Sequence, residues 1–393
     1  MTATTATTAT TAKAVTNEQA KQLVAPGHIK AIRAYIPGKP IDDLVRELGL
    51  DPSTVVKLAS NENPLGMSTA AKQAIEQSLA GLERYPDPGG YRLKQAIADR
   101  FDVPMDWITL GNGSNDILEL IGMALLEPGY STVYSEYAFV VYRLATQARG
   151  AQHIVVPAKD HGHDLDAMLA AIEPHTRLVF IANPNNPTGT FLSNEAITRF
   201  LIAVEKAHGH RVTVVLDEAY NEYIPVAERV NSLALVKQFP NLLISRSFSK
   251  AYGLAGLRVG FGIAQPVLTE LMARVRQPFN VNSLAQAAAA AALYDDAFLA
   301  KSAEVNSAGK QQLQSAFDAL GLTYIPSSAN FVLVKVNDAD HVNQALLRRG
   351  VIVRPVGPDG LPGWLRVSIG LESENNRFIE ALTAILAEST NPA

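Results

Sequence analysis

The sequence predicts an α/β fold: a mostly parallel sheet covered on both faces by helices, followed by a smaller α+β unit. Three observations carry this. From about Ser68 to Ile263, helical patterns alternate with short apolar runs. Those runs are apolar throughout rather than alternating, as expected for strands buried on both faces. After Pro278 the pattern changes to alanine-rich and long helices mixed with short strands.

In chain order, Ala70 to Leu82 reads as helix and Trp107 to Leu110 as strand. Asn115 to Leu126 returns to helical period, with Ile117, Leu120, Ile121, Ala124 and Leu125 on one side. Thr132 to Tyr134, His153 to Val156, Leu178 to Ala182, Val212 to Leu216 and Leu242 to Ser245 follow as strands, with helices such as Asn194 to Ala207 between them. Beyond Pro278, Ser283 to Tyr294 is an alanine-rich helix, and a long helix extends to Leu320. Phe331 to Val336, Val351 to Val353 and Leu365 to Ile369 are short strands. Glu374 to Ala387 closes the chain as a helix. The expected organisation is a tail (1–25), an arm packing with the small domain (26–67), a large domain (68–280) and a small domain (281–393).

Composition narrows the function. The 393 residues are 47% hydrophobic and 18% charged, which suits a sizeable core. A formal net charge of −4 gives no support for nucleic acid or an anionic membrane as partner. There is no cysteine, so disulfides and thiolate chemistry are excluded. The Thr/Ala-rich start, Met1 to Ala12, lacks the basic and leucine-rich regions of a secretory signal. A cytoplasmic protein is expected.

Ligands of open α/β sheets bind at the carboxyl ends of strands. Four predicted strand ends are followed by polar, turn-forming residues: "G-N-G-S-N-D" from Gly111, "N-P-N-N-P-T-G" from Asn183, "D-E-A-Y" from Asp217 and "R-S-F-S-K" from Arg246. Gly111 and Gly113 let backbone amides at a helix start approach a phosphate; an ordinary capped turn is the plain alternative. Asp217 ends an aliphatic run, where a carboxylate needs a cationic partner or donors. Tyr220 offers a phenol near the same edge. Lys250 stands among Ser247, Ser249 and Arg258, whose hydroxyls and guanidinium suit phosphate oxygens. A lysine in such a place can lose its proton and form a Schiff base. An aldehyde with one phosphate, a basic ring nitrogen and a ring hydroxyl would use all of these groups, and pyridoxal 5'-phosphate is such a molecule.

"S-F-S-K-A-Y-G-L-A-G-L-R-V-G" (Ser247 to Gly260), "N-P-N-N-P-T-G", "L-D-E-A-Y", "R-Y-P-D" and "N-E-N-P-L-G" together resemble fold-type-I aminotransferases, and among them the histidinol-phosphate family, from about Ile29 to Leu386. The resemblance implies a seven-stranded, mostly parallel sheet in the large domain. It implies that Lys250 bonds the cofactor aldehyde, Asp217 the ring nitrogen, and Asn186 and Tyr220 the ring oxygen. The amides of Ser114 and Asn115, the hydroxyls of Ser247 and Ser249, and Arg258 would hold the phosphate. Tyr137, in "S-E-Y-A-F", matches the aromatic residue that stacks on the ring, although its flanks depart from the commoner "P-T-Y". Tyr85 would reach the cofactor phosphate of a second subunit, which implies a homodimer. Arg366 matches the substrate anion binder, Arg354 a second arginine for the phosphate of histidinol phosphate, and Asn63 lies in the N-terminal substrate loop.

The implied activity is transamination between histidinol phosphate and 2-oxoglutarate. An aromatic amino-acid aminotransferase, a threonine-phosphate decarboxylase of the same fold and a non-catalytic cofactor-binding regulator are the alternatives. No metal site is expected. "H-G-H" at His161 to His163 reads as a polar loop, His208 and His210 as a helix-end turn, and Tyr130 and Tyr142 as packing residues.

Overall fold

The computed structural model describes residues 24–35, 38–336 and 338–390. Nearly all of the expected tail, 1–25, lies outside them. Strand β1 (Val56–Lys57) belongs to the arm. The large sheet is built from β2 (Ile108–Gly111), β3 (Ser131–Ser135), β4 (Gln152–Val156), β5 (Thr176–Ala182), β6 (Thr213–Asp217), β7 (Leu242–Ser247) and β8 (Gly260–Ile263). Among the described residues its order is β2-β8-β7-β6-β5-β3-β4. Only β8 runs antiparallel to its neighbours.

The apolar runs become two-faced strands, as their composition requires. Val214 and Leu216 of β6 enter one core, while Val215 between them enters the other. Val179 and Ile181 against Leu178 and Phe180 on β5 divide the same way. Each such side chain stabilises the fold by about 2 kcal/mol through burial, so neither face can be left without its helices.

Strand β8 is absent from the expected elements, because glycine at 260 and 262 disguises it. Those glycines have a physical cause. A Cβ on Gly260 would lie 2.5 Å from the Ser114 amide nitrogen, and one on Gly262 would lie 3.0 Å from Ile117 Cγ2. The helix Ser114–Leu125 therefore rests directly on this strand.

The small sheet contains β9 (Tyr324–Ile325), β10 (Phe331–Lys335), β12 (Arg354–Pro355) and β13 (Trp364–Ser368), in the antiparallel order β12-β13-β10-β9. Strand β11 (Val351–Ile352) instead pairs in parallel with β1, tying the arm to this unit.

The helix just beyond the expected boundary at 280/281 packs with the large sheet. Ala285, Ala288, Ala289 and Ala292 of the helix Ser283–Ala292 are buried in the core of the large sheet. Methyl side chains let this helix lie close against Thr69–Ser78, and it belongs with the large unit. The helix Asp296–Ala319 then crosses to the small unit, where Leu313 and Phe317 are buried. Among the described residues no helix is long and apolar enough to cross a membrane.

Candidate active site

The carboxyl ends of β2, β5, β6 and β7 open into one cavity of about 390 Å³. Ser114, Asn115, Asn186, Asp217, Tyr220, Ser247, Ser249, Lys250 and Arg258 all line it. So do Arg354 and Arg366 from the small sheet and Ser60 to Glu62 from the arm. The parallel register is what gathers them: Ala182 pairs with Asp217, and Asp217 with Ser245.

Asp217 closes β6 and is buried. Its Oδ2 accepts a hydrogen bond from the Tyr142 hydroxyl at 2.9 Å, while Oδ1 is buried without a partner. Burial pushes its carboxyl up to about 6, against the pull of the Tyr142 donor and, more weakly, of the Ala219 backbone amide. Such an orphaned acceptor in a cavity wall calls for a donor from a ligand. Across the cavity, Lys250 Nζ donates to the Ser60 carbonyl at 3.0 Å and lies 5.8 Å from the centre of the Tyr220 ring. Desolvation, helped by the positive charge of Arg366, brings this amine down to about 7. Tyr220 is buried, its hydroxyl accepts from Asn61 Nδ2 at 3.0 Å, and burial holds its phenol above the usual range.

At one end the site is an anion cradle. Ser114 is the first residue of its helix, after Gly113 at φ +85°. A Cβ on Gly113 would lie 2.4 Å from Arg258 Nη2, so only glycine lets that guanidinium reach the helix start. Arg258 itself is in the left-handed region at φ +53°, with Nη1 donating to Ser249 Oγ at 3.3 Å and to the Ala255 carbonyl at 3.1 Å. Ser247 Oγ accepts the Ser249 amide at 3.0 Å, which leaves its own hydrogen to donate.

At the other end, Arg354 of β12 pairs in register with Arg366 of β13. Arg366 Nη1 donates to Asn186 Oδ1 at 2.7 Å and Nη2 to the Ala59 carbonyl at 2.8 Å, while its buried Nε has no partner. Because Asn186 Oδ1 is held this way, its amide hydrogens remain to donate. Burial lowers the pKa of Arg366, yet an arginine remains charged. A ring nitrogen at Asp217, an aldehyde at Lys250 and a phosphate at the helix start fit this donor set, so the residues suit pyridoxal phosphate.

Three residues lie where the sequence reading did not place them. Asn63 does not line the cavity: its Nδ2 is committed to the Ala251 carbonyl (2.9 Å) and Ser302 Oγ (2.8 Å), and its Oδ1 accepts the Leu65 amide (3.0 Å). It pins the arm loop to the Lys250 loop, and Asn61, two residues earlier, faces the cavity instead. Tyr137 is also outside; its ring lies 6.1 Å from that of His161, and Phe139 supplies the aromatic wall. "E-Y-A-F" holds two aromatic residues, and Phe139, directly before the helix Val140–Ala148, was the available signal. Tyr142 does more than pack, since it holds Asp217. Tyr35 of the arm lines the cavity as well, its ring 5.6 Å from the Arg354 guanidinium, with no motif to mark it.

Two other features lie apart. Tyr85 is 82% exposed, away from this chain's cavity, and stacks on Phe279 at 4.6 Å. His163 is not a loop residue in water: it is buried, Nε2 bonds the Ala182 carbonyl at 2.9 Å, and burial brings it down to about 4, so it stays neutral.

Comparison with known proteins places this geometry. Residues 53–382 match the family described as aminotransferase class I and II. The chain is 60% identical over 365 residues to "Histidinol-phosphate aminotransferase 1" of Cupriavidus pinatubonensis, covering 92% of this chain and 96% of that protein. It is 59% identical over 368 residues to "Histidinol-phosphate aminotransferase 2" of Ralstonia nicotianae, covering 93% and 97%. Among solved structures, the histidinol-phosphate aminotransferase of Sinorhizobium meliloti in complex with pyridoxal-5'-phosphate superposes with a TM-score of 0.82 at 27% identity, covering 92% of this chain and 97% of that one. An L-threonine-O-3-phosphate decarboxylase of Porphyromonas gingivalis reaches a TM-score of 0.75 at 24% identity, covering 85% and 100%, which reflects a common fold.

Proposed function

We infer the reaction from the premise that the chain belongs to the class I and II aminotransferases, within which it falls among the histidinol-phosphate enzymes. It is a pyridoxal-phosphate-dependent transaminase of histidine biosynthesis, exchanging an amino group between histidinol phosphate and the glutamate/2-oxoglutarate pair. One observation about its own residues carries the substrate assignment. Two arginines in register on neighbouring strands, Arg354 and Arg366, face the cavity that holds Lys250 and Asp217. Two anion binders at fixed separation from one amine suit a donor whose reacting carbon sits near an anionic group.

The cofactor supplies an electron sink for the carbanion formed when the donor loses its Cα proton. The chain does the rest. Lys250 Nζ, whose amine burial brings down to about 7, is the base that would take up the donor's Cα proton and give it back. Asp217 Oδ1 keeps a positive ring nitrogen opposite it. Tyr220 Oη and the Asn186 amide donate to the ring oxygen. Ser114, Asn115, Ser247, Ser249 and Arg258 hold the phosphate, and Phe139 packs against the ring face in the place first expected of Tyr137. Arg366 takes the carboxylate of glutamate, and Arg354 takes the phosphate of histidinol phosphate.

The second subunit enters the same reading. Tyr85 is exposed beside Phe279, remote from its own cavity, and in a homodimer it reaches the phosphate end of the partner's site.

The decisive measurement is the half-reaction of purified holoenzyme, followed by cofactor absorbance, with histidinol phosphate, glutamate, phenylalanine and tyrosine in turn. Histidinol phosphate and glutamate convert the cofactor, with histidinol phosphate the best donor. If phenylalanine or tyrosine exceeds histidinol phosphate, the enzyme is an aromatic aminotransferase. Arg354→Ala lowers kcat/KM for histidinol phosphate by about 100-fold, the worth of a charge-assisted contact, and spares glutamate. Equal losses for both donors would remove Arg354 from phosphate binding.

A further inference from the structure

The Tyr142 side chain is fully buried, yet it carries a hydroxyl into the protein interior. Its ring lies parallel to Phe180, 4.6 Å away at 4°, and meets the edge of Phe139 at 5.9 Å and 88°. These two rings flank the phenol, and Asp217 Oδ2 accepts its hydrogen at 2.9 Å. The other oxygen of the same carboxylate is buried and unpartnered at the cavity wall.

We propose that Tyr142 is a positioning residue for the cofactor site: by holding Oδ2 of Asp217 it aims Oδ1 at the ring nitrogen and keeps that carboxylate ionised. This rests on the aminotransferase reading of the site. A carboxylate turns about its Cβ–Cγ bond through a broad, shallow torsional well. Anchoring one oxygen with a rigid donor removes that freedom before the ligand arrives. The donor also stabilises the charged form, because a phenol can donate to a carboxylate but gains nothing from a neutral acid's carbonyl to the same degree. The phenol stays protonated throughout, since burial and the adjacent Asp217 charge hold its pKa well above the normal range. The other ionisable groups facing Asp217 are Lys250 across the cavity, Glu218 next in the chain and Tyr220; Glu218 is itself bound to Arg246 at 2.8 Å. None of these replaces a donor on Oδ2.

Tyr142 further connects two cavity walls. The ring it meets edge-on, Phe139, is the one that lines the cavity beside Asp217. A single side chain therefore sets both the acid opposite the ring nitrogen and the aromatic surface against the ring face.

The test uses 4-deoxypyridoxine 5'-phosphate, which keeps the ring nitrogen and phosphate but has no aldehyde, so Lys250 cannot bond it. Its affinity for the apoenzyme is measured by fluorescence quenching from pH 5.5 to 8.5, for the native chain and for Tyr142→Phe. Native affinity falls as pH drops through about 6, where Asp217 takes up a proton. In Tyr142→Phe the fall begins about one pH unit higher, giving about threefold weaker binding near pH 6.5, approaching tenfold at pH 5.5, and little difference at pH 8.5. Superimposable profiles, or a loss independent of pH, would overturn the proposal and leave Tyr142 as packing. In an Asp217→Asn background the Phe substitution adds no further pH-dependent loss; an undiminished effect there also overturns it. Should Tyr142→Phe not fold, 3-fluorotyrosine at position 142, a stronger donor of nearly the same size, must move the transition to lower pH, and no movement is again a refutation.

Discussion

The two oxygens of Asp217 and the single nitrogen of Lys250 show how burial converts ordinary residues into reagents. Removing Lys250 from water, beside the charge of Arg366, makes its neutral form accessible near physiological pH. The sign is definite: a cationic acid brought down to about 7 is a free amine above that pH and an ammonium below it. The rate at which apoenzyme takes up pyridoxal phosphate covalently, followed by the absorbance of the bound cofactor, therefore rises as pH increases through about 7 and levels off by about 8.5. A rate that climbs steadily toward pH 10 would mean that Lys250 keeps its ordinary basicity. Lys250 and Asp217 could both be found from the sequence, since each follows an apolar strand and has little reason to be there otherwise. Phe139 was visible only as a second aromatic residue beside Tyr137, and nothing local marked Asn61 or Tyr142. Tyr137 and Asn63, each two residues from Phe139 and Asn61, offer similar side chains, and such a shift along an irregular segment is settled only by which side chain the packing admits; Tyr142 sits in a helix and meets Asp217 only through the fold.

Elements place these residues through close backbone approaches that glycine permits. The turn after Lys250 contains Gly253 at φ +71°, where a Cβ would sit 1.8 Å from the Gly66 carbonyl oxygen and 3.1 Å from Met67 Cα. The arm loop thus lies directly on the lysine loop, and Asn63 locks the two together through the Ala251 carbonyl. Gly253→Ala must both strain the turn and push the arm away, at about 3 kcal/mol of stability. Urea unfolding of apoenzyme measures this; a loss under about 0.5 kcal/mol would show that the loops part without cost. Strands with continuous apolar runs were predicted close to where they lie: Leu178 to Ala182 falls within β5, and Val212 to Leu216 overlaps β6 but for one residue at each end. β8 escaped notice because its glycines answer to a helix packed on it, a contact between segments about 145 residues apart in sequence, from Ser114 to Gly260. The alanine-rich helix was recognised as a helix, but its packing against the large sheet was not, because small side chains announce close packing without naming the neighbour.

For the molecule as a whole, the cavity is assembled from three stretches of chain: the large sheet's edge, the arm at Ser60 to Glu62, and the small sheet's two arginines. The parallel pairing of β1 with β11 and the small-sheet register Arg354↔Arg366 bring the last two together. On the proposed dimeric reading, the exposed stack of Tyr85 on Phe279 belongs to a surface that a second copy would cover. Light scattering of the purified protein should give twice the mass of the chain. On the same reading Tyr85→Phe should weaken pyridoxal phosphate binding severalfold without changing that mass, because it would remove a hydroxyl that reaches the neighbouring subunit's phosphate. A monomeric native protein, or unchanged affinity in the variant, would remove Tyr85 from the site.

The amino-acid order alone determined the alternation of strands and helices, the polar residues at the strand ends, and hence the chemistry available at one edge of the sheet. These are local properties: hydrophobic period, turn residues and the cost of a charge beside an apolar run all act over a few residues. Tertiary structure decided which aromatic ring faces the cavity, which asparagine reaches Tyr220, what holds Asp217, and to which unit the alanine helix belongs. Those depend on contacts between distant segments, where the geometry of close packing selects among residues that are chemically alike.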